Sequence, residues 1–156
     1  MGYSSGSSPI MSYHYGAANH KEMKNVLKKS LTMLGIAGVV LTAAAYALAR
    51  PISRIFVGYD PALLEETVHG FMICALPMLV MWFNVYASSF FTALNNGAVS
   101  AAISFMRSLV LPVICILVLP YFFELDGVWF ALAASEYLGS LVSLFFMLKN
   151  RKKYQY

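Results

Sequence analysis

Four long apolar stretches constrain this chain more than any other feature of its sequence. They cover residues 30–49, 67–94, 99–122 and 128–148. Each is long enough for an α-helix that crosses about 30 Å of hydrocarbon, which takes about 20 residues. The whole chain is 60% hydrophobic and only 12% charged, whereas soluble domains are about 45–50% apolar and about 25% charged. The sequence therefore predicts an all-α membrane protein whose surface is largely solvated by a lipid bilayer.

The connections between the apolar stretches predict how the helices are arranged. A polar connection, residues 50–66, joins the first span to the second and has a turn around Gly58. Tight turns at 93–98 and 124–127 join the later spans. Short connections place successive helices side by side and antiparallel. Pro77 and two later prolines fall inside spans, where neighbouring helices can satisfy the freed carbonyl groups. We therefore expect an up-down bundle of four transmembrane helices.

Basic residues predict the orientation of this bundle. Two basic clusters flank the spans on one side of the membrane and hold eight Lys and Arg residues, whereas Arg50 and Arg54 alone lie on the other side. Because cytoplasmic loops carry an excess of Lys and Arg, both clusters should be cytoplasmic. We expect a multi-pass protein of the bacterial inner membrane with a cytoplasmic C-terminus, and no nucleic-acid partner. The clusters are Lys21, Lys24, Lys28 and Lys29, and Lys149, Arg151, Lys152 and Lys153.

Composition divides the chain into three parts. Residues 1–29 comprise a partial helix end and a basic amphipathic cytoplasmic segment, residues 30–149 the four-helix bundle, and residues 150–156 a basic cytoplasmic tail. The first 19 residues are rich in Gly, Ser and Tyr, so they are too polar and too short to cross a bilayer alone. We interpret them as the cytoplasmic end of a helix that begins before this sequence. A flexible leader at the membrane surface is the alternative.

The amphipathic segment leads directly into the first span. Met23, Val26, Leu27 and Leu31 recur at helical spacing on one face, with lysines on the opposite face. Helices of this kind lie in the plane of the lipid headgroups, with the apolar face toward the acyl chains. We therefore expect this segment to rest on the membrane surface before it enters the bilayer.

The run Pro-Ile-Met-Ser-Tyr-His-Tyr-Gly-Ala-Ala-Asn, residues 9–19, is specific enough to suggest a family. It closely resembles the segment that closes a helix in the second half of MATE transporters, the multidrug and toxic compound extrusion antiporters. Residues 90–97 resemble the family's turn between its tenth and eleventh helices, and residues 119–136 its entry into the last helix. The motif residues at the cytoplasmic end are Pro9, Ser12, Tyr13, Tyr15, Gly16 and Asn19.

This resemblance implies a twelve-helix antiporter of two lobes that exchanges H⁺ or Na⁺ for organic cations. The chain resembles the end of helix eight through helix twelve, so the missing N-terminal helices would be its partner and the chain should be inactive alone. No cofactor other than the coupling ion is implied. Two alternatives stay open: a self-contained four-helix exporter that dimerises, and a non-transporting membrane subunit.

Two ionisable residues lie deep inside predicted spans, where charge is costly and indicates function by default. Arg107 follows Ala98 by nine residues and Glu136 follows Gly127 by nine residues. At 1.5 Å per residue, each side chain should lie about 13–14 Å deep, from opposite faces of the membrane. Both therefore fall near the midplane on antiparallel helices. The pair has two interpretations: an ion-coupling carboxylate poised by an arginine, or a structural ion pair that fixes helix register.

Polar and adaptable side chains in the second span form a candidate cavity for substrate or ion. Asn84 resembles a position where some sodium-coupled family members have an aspartate, but an amide cannot supply that charge. A hydrogen bond between helices is its alternative role. Met81, Trp82 and Tyr86 could line a polyspecific cavity, because methionine and aromatic rings adapt to varied apolar cations. Packing against other helices or lipid is the alternative for these three.

Nothing in the sequence indicates an enzyme or a metal site. The three histidines, His14, His20 and His69, are dispersed without the spacing of metal ligands. Cys74 and Cys115 both lie in apolar runs and suggest no zinc site or redox motif. Hydrolase and kinase motifs are also missing from the sequence. We therefore expect a protein without catalytic residues and without a bound metal.

Overall fold

The protein forms a bundle of helices with no strand among residues 2–156, which are the residues that this computed structural model describes. This confirms the predicted all-α membrane fold with a partial N-terminal helix. A π-helical segment, Met106–Val110, joins the last two α-helices. The α-helices are α1 (Gly2–Gly16), α2 (His20–Val57), α3 (Pro61–Ala75), α4 (Met78–Ala93), α5 (Gly97–Phe105) and α6 (Leu111–Tyr154).

Asparagine and aspartate side chains start three of these helices. The Asn19 side chain accepts a hydrogen bond from the backbone N–H of Glu22 at the start of α2. Asp60 accepts from the N–H groups of Ala62 and Leu63 at the start of α3. Asn96 starts α5 in the same way. These caps satisfy N–H groups that a helix leaves unpaired at its first turn, so the chain turns sharply without losing hydrogen bonds.

Helical structure reaches further into the first connection than predicted. The turn predicted around Gly58 in this connection is confirmed, and the residues on both sides of it are helical, because α2 continues to Val57 and α3 begins at Pro61. Only residues 58–60 form the turn. Pro61 occupies the first turn of α3, where its missing N–H costs no hydrogen bond. The second span is interrupted instead, since α3 ends at Ala75 and α4 begins only after Pro77.

The third and fourth predicted spans meet within α6, where the chain reverses direction at Glu124. Its backbone angles are φ 49° and ψ −124°, outside the helical region. A Cβ added to Gly127 would lie 2.5 Å from the carbonyl oxygen of Leu119, so the segments before and after Glu124 are in close contact there. We call residues 111–123 the first arm of α6 and residues 125–154 the second arm.

Four crossings thus occupy three helical stretches that are long and apolar enough to span a membrane. These stretches are His20–Val57, Pro61–Ala93 and Gly97–Tyr154, and the last contains two crossings. With 58 residues, Gly97–Tyr154 would extend about 87 Å if straight, well beyond the thickness of a bilayer. The reversal at Glu124 is therefore what fits it to a membrane.

Both basic clusters lie at the same end of the bundle, which we call the basic end. Lys24 and Lys28 of α2 line a surface groove together with Arg151 and Tyr156. The Asn96 amide donates a hydrogen bond of 2.9 Å to the Tyr154 hydroxyl at the same end. The arrangement agrees with an even number of crossings between the two clusters. It puts the turn at 58–60 and the reversal at Glu124 at the opposite end.

The amphipathic segment packs on protein rather than on lipid headgroups. Met23 is fully buried and Leu27 is 8% exposed, and both belong to the main core cluster. Val26 and Leu31 pack against the same cluster. The apolar face of this segment therefore does not rest on the membrane surface, contrary to the prediction from the sequence. Side chains of α1, α4 and the second arm of α6 cover it, among them Met11, Phe91 and Tyr154.

Candidate functional site

Arg107 and Glu136 form an ion pair inside the bundle. The π-helical segment carries Arg107, and the second arm of α6 carries Glu136. Arg107 Nη2 lies 2.9 Å from Glu136 Oε1, and Arg107 Nε donates to both carboxylate oxygens at 3.0 Å. The two side chains are 21% and 14% exposed. Contacts from two guanidinium nitrogens fix the relative orientation of both groups as well as their distance.

Asn84 is the third member of this site. Its Nδ2 donates 2.8 Å to Glu136 Oε2 and 3.0 Å to the Glu136 carbonyl oxygen. Its Oδ1 accepts from the Ser143 hydroxyl at 3.0 Å. Asn84 and Ser143 are completely buried. A Cβ at Gly139 would come within 3.3 Å of the Asn84 amide nitrogen, so a small residue at 139 lets α4 approach the second arm of α6.

The local backbone around Arg107 departs from an α-helix. The Leu111 N–H donates to the carbonyl of Met106, five residues earlier, which is the π pattern. Pro112 follows and has no N–H to restore the ordinary bond. A π-turn holds one more residue than an α-turn, so it changes the direction of side chains before it relative to those after it. Such turns are frequent at functional sites.

An apolar cavity of about 310 Å³ lies beside this pair, between α2 and α4. Met81 and Trp82 line it from α4, and Leu34 and Leu41 line it from α2. Arg107 is the one charged residue among the described residues of its wall. Two of the four predicted cavity residues, Met81 and Trp82, therefore share one apolar space that ends at a guanidinium.

The indole of Trp82 is held in place by α2 and by its own helix. A Cβ added to Gly38 would lie 2.6 Å from the ring, so α2 approaches the indole as closely as a glycine allows. The indole Nε1 donates to the Leu79 carbonyl at 2.7 Å. Tyr86 lies elsewhere: it is 1% exposed and its ring packs near that of Phe90 in the core. Tyr86 therefore does not join Met81 and Trp82 at this cavity.

A second, polar cleft of about 200 Å³ adjoins the apolar cavity and lies between α1, α4 and α5. Ser88 of α4 is bonded to the hydroxyls of Ser100 and Ser104, at 3.0 and 2.7 Å. Arg107 and Ser4 lie in the walls of both the cleft and the apolar cavity. The residues that line the cleft are Ser4, Ser5, Asn84, Val85, Ser88, Ser89, Ser104 and Arg107.

The N-terminal motif residues lie at the basic end, where they join α1 to the rest of the bundle. The Ser12 hydroxyl donates 2.9 Å to the carbonyl of Ala93, the last residue of α4. The rings of Tyr15 and Tyr154 meet edge to face, with centroids 5.7 Å apart. Asn19 starts α2 as described above. The remaining three motif residues, Pro9, Tyr13 and Gly16, are exposed on α1.

No group of three His, Cys, Asp or Glu side chains within residues 2–156 has the arrangement of a metal site. The ionisable groups of the site are thus one carboxylate and one guanidinium, joined by an amide. Such a set offers no nucleophile with a base beside it.

Comparison with known proteins gives the family. Residues 1–117, three quarters of the chain, match the protein family MatE. The chain belongs to the MATE family of transporters. A solved structure, described as the inward-facing conformation of a multidrug resistance MATE family transporter of the MOP superfamily, has the same fold with a TM-score of 0.90 at 13% identity. No curated protein matches the chain.

The MATE chain described here spans only part of that transporter. The match covers 99% of this chain and 36% of the solved one. At 13% identity the likeness concerns the fold alone. It places the bundle, with its partial first helix, as a portion of a larger transporter fold, in agreement with the resemblance of the sequence motifs.

Sequence reasoning missed two parts of the site in this MATE protein. Ser143 was not singled out, although it lies seven residues after Glu136 and so on the same face of the helix. The hydroxyl cleft was also missed. Ser100, Ser104 and Ser108 recur every four residues in an apolar span, which is a polar stripe at helical spacing. That periodicity is the signal that could have found it.

Proposed function

We propose that this MATE chain contributes the C-terminal part of a cation-coupled antiporter that exports organic cations from the cytoplasm. The observation that carries the proposal is the Arg107–Glu136–Asn84 site inside the membrane bundle of a chain that belongs to a transporter family. Ionisable residues at this depth are costly and are kept mainly for pathways and coupling. The single carboxylate of the site is the group that would exchange the coupling ion.

The apolar cavity supports the substrate class. A planar organic cation would place its rings against Trp82 and Met81, which suit apolar and cationic surfaces of varied shape. The guanidinium of Arg107 at the cavity edge repels a cation while Glu136 is neutral and repels it less while Glu136 is ionised. The substrate binds better while Glu136 is ionised, and a bound coupling ion neutralises Glu136, so the two compete. Such competition is the physical basis of antiport.

Transport should require the remainder of the transporter. The chain corresponds to 36% of the solved MATE transporter, and alternating access moves one bundle of helices against another around a central site. A single bundle has no second body to move against. The proposed partners are therefore the other helices of the same transporter, with the lipid bilayer around both.

Ethidium efflux from a pump-deficient host tests this proposal. The chain is expressed alone and together with the remaining helices of a MATE transporter, and copurification verifies assembly. We expect efflux only from the assembled pair, abolished by an uncoupler or by removal of Na⁺. Uncoupler-sensitive efflux by the chain alone would overturn the proposal and favour a dimeric four-helix exporter. Assembly without efflux would overturn it and favour a non-transporting subunit.

Orientation is a separate proposal, with the basic end and the C-terminus in the cytoplasm. It rests on the eight basic residues at one end of the bundle. In a background without Cys74 and Cys115, Asp126→Cys should react with an impermeant thiol reagent added to intact cells, and Asn25→Cys should not. Reaction of Asn25→Cys alone would invert the orientation.

A further inference from the structure

The hydroxyl cleft and the apolar cavity adjoin each other and share three lining residues, Ser4, Val85 and Arg107. Arg107 lies in the wall of each, whereas Glu136 is not among the described residues that line either one. The cleft ends on Arg107 and Asn84, the two residues that bind the Glu136 carboxylate. The cleft therefore borders the polar site at both Arg107 and Asn84, whereas the apolar cavity borders it at Arg107 alone.

The cleft has the size and the chemistry to hold water. Its volume is about 200 Å³, and a water molecule takes about 30 Å³ of liquid volume. Three helices contribute hydroxyls, including Ser5 of α1, Ser89 of α4 and Ser104 of α5. A polar cavity binds water because hydroxyls without partners in an apolar environment are costly. The apolar cavity, lined by leucine, methionine and tryptophan, provides few such partners.

We propose that the hydroxyl cleft is the aqueous branch of the transport site, which brings water and a proton to Glu136 while the apolar cavity receives the substrate. The inference deepens the proposed function and rests on it for the role of Glu136. It adds a route for the coupling ion whose lining is rich in hydroxyls, beside a substrate cavity whose lining is mainly apolar, and it assigns a proton rather than Na⁺ to that route.

The charges around the cleft disfavour a sodium site. Oxygen atoms bind such cations, and carboxylates attract them most strongly. Arg107 is the only charged side chain among the described residues that line the cleft, and it is positive. Asn84 uses both amide hydrogens on Glu136, and its oxygen accepts from Ser143. A sodium ion in the cleft would thus face a guanidinium without a free carboxylate.

A proton can be accepted only if the cleft is hydrated. When a hydronium ion in the cleft gives a proton to a Glu136 carboxylate oxygen and leaves a water molecule behind, the carboxyl becomes neutral and Arg107 keeps its charge without a counter-ion. An unpaired charge in a dry interior is strongly unfavourable. Water and hydroxyls in the cleft would solvate the guanidinium in that state. The groups that face the Glu136 carboxylate are Arg107 and Asn84, so no second charge replaces the pair.

Cysteine accessibility tests the cleft without a transport assay. In membranes holding the chain without Cys74 and Cys115, we compare Ser104→Cys with Leu109→Cys. Leu109 is a matched control because it follows on the same helix and is 50% exposed on an apolar surface. A charged methanethiosulfonate should modify Ser104→Cys about a hundredfold faster, since the charged reagent is excluded from hydrocarbon. Ser89→Cys, across the cleft, should also react fast and serves if Ser104→Cys does not fold.

The outcomes separate this inference from the proposed function. Equal, slow reaction of Ser104→Cys and Leu109→Cys, with Ser89→Cys also slow, would overturn the aqueous branch even if ethidium efflux by the assembled transporter is normal. Protection of Ser104→Cys by Na⁺ but not by K⁺ at equal ionic strength would make the cleft a sodium site and overturn the proton assignment. Fast reaction that Na⁺ does not slow supports a hydrated cleft without a sodium site, whereas failure of the proposed function in the efflux assay would overturn delivery of a proton to Glu136.

Discussion

The contact between α4 and the second arm of α6 is built differently at its two levels. Toward the membrane centre, Asn84 of α4 binds Glu136 and Ser143 through hydrogen bonds. At the basic end, Phe90 and Phe91 of α4 pack against Tyr156 and Tyr154 through aromatic rings. The same two helices are thus joined by a polar network at one level and by apolar packing at the other.

The two levels should respond differently to the substitution of a single side chain. Ring packing is a sum of many small contacts, so its loss scales with the volume removed. A buried polar network depends on every member, because removal of one partner leaves another charged or polar group unsatisfied. The polar level should therefore fail abruptly and be rescued by paired substitutions, whereas the aromatic level should lose stability gradually.

Glu136→Gln should have the largest effect, since it leaves the Arg107 charge without its partner. We expect a loss of about 4 kcal/mol in the free energy of unfolding, measured by denaturation in mixed micelles. The double variant Glu136→Gln with Arg107→Gln should recover most of it. If the single and double variants are equally unstable, the network does not act as a unit.

The same variants separate a structural role from coupling. In the assembled transporter, the double variant should reach the membrane in normal amounts but export no ethidium, because no carboxylate remains to carry the coupling ion. Efflux restored to near the parent level would rule out the coupling role and leave a static ion pair.

Phe91→Ala tests the aromatic level. Phe91 is fully buried, so truncation should cost about 3 kcal/mol in the same unfolding assay. Phe105→Ala is the matched control, because Phe105 is 57% exposed and faces the surroundings of the bundle. A loss for Phe105→Ala as large as that for Phe91→Ala would mean that these buried rings do not hold the basic end.

Ser143→Ala removes one hydrogen bond from the polar level without stranding a charge. Its hydroxyl donates to Asn84 Oδ1, so we expect a loss of about 1 kcal/mol. Ser140→Ala is the control, since the Ser140 hydroxyl donates only to the Tyr137 carbonyl of its own helix. Equal unfolding free energies for both variants would show that the hydrogen bond between helices is not stabilising.

Tyr156→Phe should have the smallest effect at neutral pH, below about 1 kcal/mol, although it removes the 2.6 Å hydrogen bond to the Met147 carbonyl. Burial raises the pKa of Tyr156 from 10.0 to about 12; Tyr154 adds to the rise and Arg151 opposes it. The stability from burying this neutral phenol is therefore fully present below pH 10 and lost as the pH rises to about 12.

The unfolding free energies of the parent and of Tyr156→Phe are measured from about pH 8 to about pH 12. This range brackets the ordinary phenol pKa of about 10. Tyr156→Phe should decline less steeply above pH 10. Tyr59→Phe, at an 81% exposed position, should keep the slope of the parent. Identical slopes for all three proteins would mean that Tyr156 does not ionise differently on unfolding.

Much of the fold could be predicted because it depends on length and composition. Spans of about 20 apolar residues and short polar turns fix the number of crossings, whatever the packing. Counting along the helices also placed Arg107 and Glu136 at one depth, and the structure brings them into contact. Depth follows from the rise per residue. The direction in which a side chain points does not follow from the rise per residue. For that reason Tyr86, predicted to line the cavity with Trp82, lies in the core instead.

Packing decided the remaining features. The apolar face of the segment around Met23 is compatible with lipid headgroups or with a protein core, and only the position of α1 and α4 selects the core. Asn84 had two possible roles in the sequence, and the approach of the second arm of α6 at Gly139 determines which atoms it binds. The hydroxyl cleft and the apolar cavity beside Arg107 likewise form only where α1, α2, α4 and α5 come together.

The sequence by itself determined that this protein crosses a membrane, how often it crosses, and which residues carry charge inside the spans. These properties follow from the transfer of individual side chains into lipid, which depends on local composition. Tertiary structure alone decided which polar groups satisfy Glu136 and which side chains surround Arg107. Those contacts depend on helix rotation and close approach between residues far apart in the chain, such as Asn84 and Ser143, and no local property of the sequence specifies them.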